Sequence, residues 1–400
     1  MPTARGAVPE LMSKTGRIRD PRLDFFRGLS LVAIFLAHVP GDWLREIIWA
    51  RFGLSDAAHV FVFISGYAAA LAFGSTFVKM GFWTGTARIG WRAAQLYGCH
   101  LALVFLGLFV CAAAAELVPM VDYAEFLGIS GFYAAPAARI VELFTLRYVP
   151  AYFDILPLYM LVLASIPLAM ALARVHPAWV IATSVTLWCT VQITDFNLPA
   201  GEGRSWGFNP FAWQLIFFTG FAISRGWLVP PRMSTPLLAL CTAYLLFGLA
   251  AEVPWIWSLH PALEHVHDWA YAHAHKPNLD LRQYAHFLAL AAVTLWAIKG
   301  REQLLLSWPA MPFVRLGRQA LPVFFSGMAL SHIGGIAMAV HGTGLATQVV
   351  VNVLGIAGLM VVAKVSLYVK NAPWKSGGLP AAKAGTAIEA VPSIAPSAAR

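Results

Sequence analysis

Arg27 and His38 stand eleven residues apart in RGLSLVAIFLAH, a stretch with no other ionisable side chain. In a helix that spacing is roughly 16 Å of rise and close to three turns, so both side chains leave from about the same face. A guanidinium grips phosphate or carboxylate as a planar fork, and a neutral imidazole takes the proton from an attacking hydroxyl. One helix face could therefore hold an anionic donor at one end and do general-base chemistry at the other. The same pair also reads more plainly, as a snorkelling basic anchor and a helix-end histidine. Two carboxylates could orient the imidazole. Asp56 opens SDAAHVFVFISGYAAALAFG, and Asp154 opens DILPLYML, which leads to Tyr159. Each also sits where a helix cap would sit.

Further along, RSWGFNPFAWQLIFF gathers Trp206, Phe208, Phe211 and Trp213 around Asn209 and Gln214. That set reads either as a platform for sugar rings or as an interfacial aromatic belt. His260, His265, His267, His273 and His275 cluster as a metal tract would. His273 and His275 share no helical face, and no cysteine joins them, so no metal site is expected. There is no Walker A, GxSxG or HExxH motif.

The elements that must position these residues are membrane helices. The chain has 400 residues, of which 59% are hydrophobic and only 12% charged, with a mean hydropathy of +0.68. Too few charges remain to coat a water-soluble globule of this size, and a disordered chain is excluded for the same reason. The four cysteines lie singly in apolar runs and read as small core residues. The net charge of +9 fits cytoplasmic loops beside anionic lipid, and no nucleic-acid partner is expected.

Stretches free of Asp, Glu, Lys and Arg, each near the roughly 20 residues needed to cross a bilayer, begin at Gly28, Ala57, Ala93, Ile155, Val175, Ser205, Met233 and Gln283. A ninth, from Gln319 to Ala363, breaks at His341-Gly342-Thr343-Gly344. The expected fold is thus an all-α polytopic membrane protein of about ten transmembrane helices. With both termini inside, 21 of the 28 basic residues face the cytoplasm, which fixes an N-in, C-in topology. Residues 1–20 form a basic cytoplasmic segment with no cleavable signal, 21–370 the membrane domain, and 371–400 a small-residue tail expected to be disordered. No internal repeat of the transporter kind is visible.

Arg27 and His38 also reproduce the Arg-x10-His pattern of the membrane-bound acyltransferase family 3. The wider chain resembles its OpgC-type branch, which succinylates osmoregulated periplasmic glucans. The matching segments are DPRLDFFRGLSLVAIFLAHVPGDW, FGLSDAAHVFVFISGYAAAL, YFDILPLYMLVL, WGFNPFAWQLIFFTG, KPNLDLRQYAHFLALA and LGRQALPVFFSGM, in order from Asp20 to Met328. One departure is His59, where the family commonly carries the glutamate of a DAAE motif. The resemblance implies an inner-membrane enzyme that takes acyl from cytoplasmic acyl-CoA, with succinyl-CoA the expected donor, to a glucan hydroxyl in the periplasm. No tightly bound cofactor is implied. His38 would be the base, with Asp56 or Asp154 as its partner. Arg27, Arg88, Arg92, Arg315 and Arg318 would serve the donor phosphates, and Tyr159, Trp206, Asn209, Trp213 and Gln214 the acceptor or the oxyanion. Membrane lipid is a further partner, and a homo-oligomer stays open. The competing expectations are an acetyltransferase for another surface polysaccharide and a secondary transporter of organic anions or glycans.

Overall fold

The computed structural model describes residues 20–117, 122–126, 128–150 and 152–372, so the basic segment before Asp20 and most of the C-terminal tail lie outside the described residues. Each apolar stretch falls on a helix. These helices are α1 (Pro21–Ala37), α2 (Ala57–Met80), α3 (Phe82–Leu117), α4 (Ile155–Val175), α5 (Ala178–Thr194), α6 (Pro210–Arg225), α7 (Thr235–Glu252), α8 (Leu281–Ile298), α9 (Ala320–His341) and α10 (Leu345–Asn371). Among the described residues, seven of them are long and apolar enough to cross a membrane; α1, α5 and α6 are the shorter ones. The few strand residues form one antiparallel hairpin, Pro199–Gly201 against Arg204–Ser205.

Local signals explain the boundaries. Asp20 accepts a hydrogen bond from the Arg22 amide at 2.9 Å, and Pro21 occupies the first turn, a strong start. Pro40 and Gly41 then stop the chain, so α1 covers Pro21–Ala37 rather than a span from Gly28 to Leu44. A search for charge-free runs misses this, because Asp24 and Arg27 lie inside the helix. They are tolerated because Asp24, buried, sits 3.8 Å from both Arg27 and Arg318. α2 opens on a reciprocal cap between Asp56 and His59, and a π-helical turn at Ala70–Gly74 widens it.

Two backbone-to-backbone crossings lock the inner helices. A side chain at Gly28 would place its Cβ 1.8 Å from the Phe313 carbonyl oxygen, and one at Gly317 would come equally close to that of Asp24. The short helix Met311–Arg318 is thereby pressed onto α1. In the same way Gly66 of α2 meets the Phe217 carbonyl of α6, and Gly220 of α6 meets that of Phe63. α7, α8 and α10 leave most of their apolar surface outward, where lipid would cover it.

Candidate active site

His38 is the residue at the C-terminal end of α1, and its ring lines a cavity of about 390 Å³. Its Nδ1 lies 2.7 Å from the Ile34 carbonyl oxygen. A carbonyl only accepts, so Nδ1 carries the proton and Nε2 keeps the lone pair of a neutral base. The helix that supplies the imidazole thus also sets its tautomer. The Tyr152 ring packs edge-on against it at 5.3 Å.

The walls of this cavity come from the start of α2, the residues ahead of α4, and two loops. Asp56 caps α2 through the Ala58 amide at 2.9 Å and pairs with Lys276 Nζ at 2.5 Å. Burial alone would raise the Asp56 carboxyl, but the Lys276 ammonium and the His59 hydrogen bond hold it well below the usual carboxylate range. The Asp56 charge in turn raises Lys276, so the pair is fully ionised. Lys276 is positioned from behind: the Trp213 indole donates to the carbonyls of Lys276 and Pro277 at 3.2 and 3.1 Å. Asp154 lines the same cavity without capping α4, and burial pushes it up to about 6. Neither carboxylate makes a hydrogen bond to His38; the Ile34 carbonyl occupies the place expected for one.

His59 explains its own departure from the DAAE pattern. It is the third residue of α2, where a capping box normally has Glu or Gln. Its Nδ1 lies 2.9 Å from Asp56 Oδ1 and 3.1 Å from the Asp56 amide; protonated it donates to the carboxylate, and in the other tautomer it accepts from the amide as a glutamate would, so it serves one of the two at a time. The ring itself is buried against Trp213.

A second cavity, of about 930 Å³, lies at the opposite end of the same helices. Arg27, Arg92, Arg318 and Lys370 line it, with Gln95, Ser65 and Tyr159 among the polar groups and no carboxylate. Arg27 also donates to the Ile64 carbonyl at 3.3 Å, which ties α1 to α2. Ile155 and Phe324 line both cavities, so the two chambers meet at these side chains. Arg27 and His38 accordingly face two adjoining spaces, one cationic and one carrying the base.

The structure divides the remaining expected residues. Arg88 and Arg315 are not among the cavity lining; Arg88 turns to the Ala72 carbonyl at 3.0 Å and to the Phe73 ring. Tyr159 belongs to the Arg27 cavity, away from the expected acceptor side. Of the aromatic set only Phe208 reaches the His38 cavity. Trp206 is buried under the hairpin and donates to the Pro199 carbonyl. Asn209 caps α6 and bonds Phe196 and Asn278. Gln214 is consumed by Ser184 and the Phe211 carbonyl. The platform fails because the tight turn into α6 directs these polar groups back to satisfy buried backbone. Each of His260, His265, His267 and His273 likewise bonds a nearby backbone group, and among the described residues no three His, Cys, Asp or Glu side chains gather in metal-ligand fashion. Sequence reasoning missed Arg45, Arg51 and Lys276 beside His38, and Asp24 beside Arg27; the long-range partners, Lys276 at Asp56 and Arg318 at Asp24, leave no trace in local spacing.

No curated protein and no solved structure matches the chain. A family model described as OpgC protein matches residues 19–371, which include every helix and both cavities. The chain is a member of the OpgC family.

Proposed function

We propose that this protein is a membrane O-acyltransferase that moves an acyl group, succinyl in preference to acetyl, from cytoplasmic acyl-CoA to hydroxyls of periplasmic glucans. OpgC membership points to periplasmic glucan modification. The observation that carries the reaction is the pair of cavities meeting at Ile155 and Phe324, cationic on one side and holding a neutral histidine on the other. Arg27, Arg92, Arg318 and Lys370 suit the polyanionic end of CoA. The thin pantetheine arm threads past Phe324 and delivers the thioester beneath His38. His38 Nε2 takes the proton of the acceptor hydroxyl as its oxygen attacks the thioester carbonyl. The new ester forms, the C–S bond breaks, and the departing thiolate takes up the proton left on His38. No serine is needed. The helical fold, with seven helices able to cross a membrane among the described residues, and the likeness of Arg27 and His38 to the acyltransferase family 3 pattern fit this reading. A transporter is less well supported, since the sequence shows no repeat of the transporter kind.

Purified protein in detergent, given labelled acyl-CoA and a glucan acceptor, is expected to leave base-labile label on the glucan. Substrate bound but never esterified would favour transport instead. The sides are tested separately. With both termini in the cytoplasm, a reporter active only in the periplasm should be silent when fused after Lys370 and active when inserted within 252–282. The opposite pattern would reverse donor and acceptor sides.

A further inference from the structure

The His38 cavity holds more positive charge than a neutral sugar and a neutral acyl group can use. Three cations line it, Arg45, Arg51 and Lys276, against two carboxylates, Asp56 and Asp154. Lys276 and Asp56 neutralise each other at 2.5 Å. Among the described residues the Arg45 side chain pairs only with the neighbouring Glu46, at 3.1 Å, which does not line the cavity. The Arg51 side chain, on the short turn Trp49–Arg51, makes no hydrogen bond or ion pair with a described residue; its charge is felt by Lys276 inside the cavity and by Glu252, which does not line it. Asp154 offsets one charge at most, and that only when it is ionised. The surplus sits at the mouth, on the segment that joins His38 to α2.

Geometry decides which substrate would meet it. If the donor phosphates lie with Arg27 and Arg318 and the thioester lies at His38, the acyl group is the only part of the donor that reaches beyond the histidine. Whatever the acyl group carries at its far end must then lie in this outer cavity. We propose that Arg45 and Arg51 form a carboxylate subsite there, which takes the free end of a dicarboxylic acyl group and so selects a charged acyl donor over a neutral one. The inference rests on the acyltransferase reading above and adds the residues that choose the acyl group. A guanidinium fork matches a carboxylate in two parallel hydrogen bonds, which a lysine cannot copy. The same cations could instead serve an anionic substituent already on the glucan, and the test separates the two.

Full-length protein would be assayed with succinyl-CoA and acetyl-CoA against one neutral glucan, in wild type, Arg51→Gln, Arg51→Lys and Arg45→Gln. One lost charge-assisted hydrogen bond corresponds to roughly 10- to 100-fold. Arg51→Gln should therefore lower kcat/KM for succinyl-CoA by about that factor and leave acetyl-CoA within about threefold, with Arg51→Lys in between. Arg45→Gln should show the same selectivity, and it carries the test if the Arg51 variants do not stay monodisperse. Equal losses for both donors in a monodisperse variant, or no loss at all, would overturn the proposal, as would a wild type that prefers acetyl-CoA. A wild type that transfers neither acyl group would instead remove the acyltransferase reading itself, before any variant is compared.

Discussion

His38→Ala is expected to lower kcat at least about 100-fold while acyl-CoA still binds. General-base catalysis is typically worth 10²–10⁴-fold, about 3–5 kcal/mol of barrier. His38 is half-buried at the end of α1, so its truncation should spare the fold. His38→Gln is the sharper variant. It can still bond the Ile34 carbonyl, as the imidazole does at 2.7 Å, but it cannot accept the proton. It should be nearly as inactive as alanine. A reaction stopped in denaturant without acceptor should leave no label on the wild-type protein, since the thioester already activates the acyl group and one proton acceptor suffices. Most of the activity surviving in His38→Gln would reduce His38 to a helix-end residue.

The second large effect belongs to the other chamber. Arg27→Ala should raise the KM for acyl-CoA by roughly 10- to 100-fold, the range for a hydrogen bond to a charged group, with a smaller change in kcat. Arg27→Lys should recover part of it, because a point charge keeps the attraction and loses the fork. Arg27 is held where it is by more than its own bonds. The Gly28 and Gly317 crossing presses α1 onto the helix that carries Arg318, and Asp24 lies between the two guanidiniums. Donor KM measured in a folded variant decides the matter; an unchanged value would make Arg27 a tie to the Ile64 carbonyl and nothing more.

Much of this was legible in the sequence, and for identifiable reasons. Helix existence followed from hydropathy, because a bilayer imposes length and apolarity on every segment that crosses it. The start of α1 did not, because the search excluded charges, whereas inside the fold Asp24 offsets Arg27 three residues on and also Arg318, nearly 300 positions away. Arg27 and His38 could be paired from their spacing alone, since one helix carries both. The acceptor residues could not. Asn209 and Gln214 looked available beside the aromatics, and each is spent on a buried backbone group that only the folded turn creates. Lys276 directly follows the histidine tract and carries no local sign of a role; the Trp213 indole, far from it in the chain, holds its backbone where the side chain meets Asp56.

The shared lining of Ile155 and Phe324 has an electrical side. If the two chambers open toward opposite faces of an energised membrane, nearly the whole potential would fall across the few side chains between them. That field is worth about 2.3 kcal/mol for each elementary charge per 100 mV, so a continuous thread of water there would dissipate the gradient as a proton leak. The Phe324 ring and the branched Ile155 side chain would exclude such a thread in the empty protein, and on the acyltransferase reading a seated pantetheine arm would fill the same passage. On that reading Phe324 would insulate as well as serve the reaction, its size bounded from both directions: large enough to hold back ions, small enough to let a thioester by.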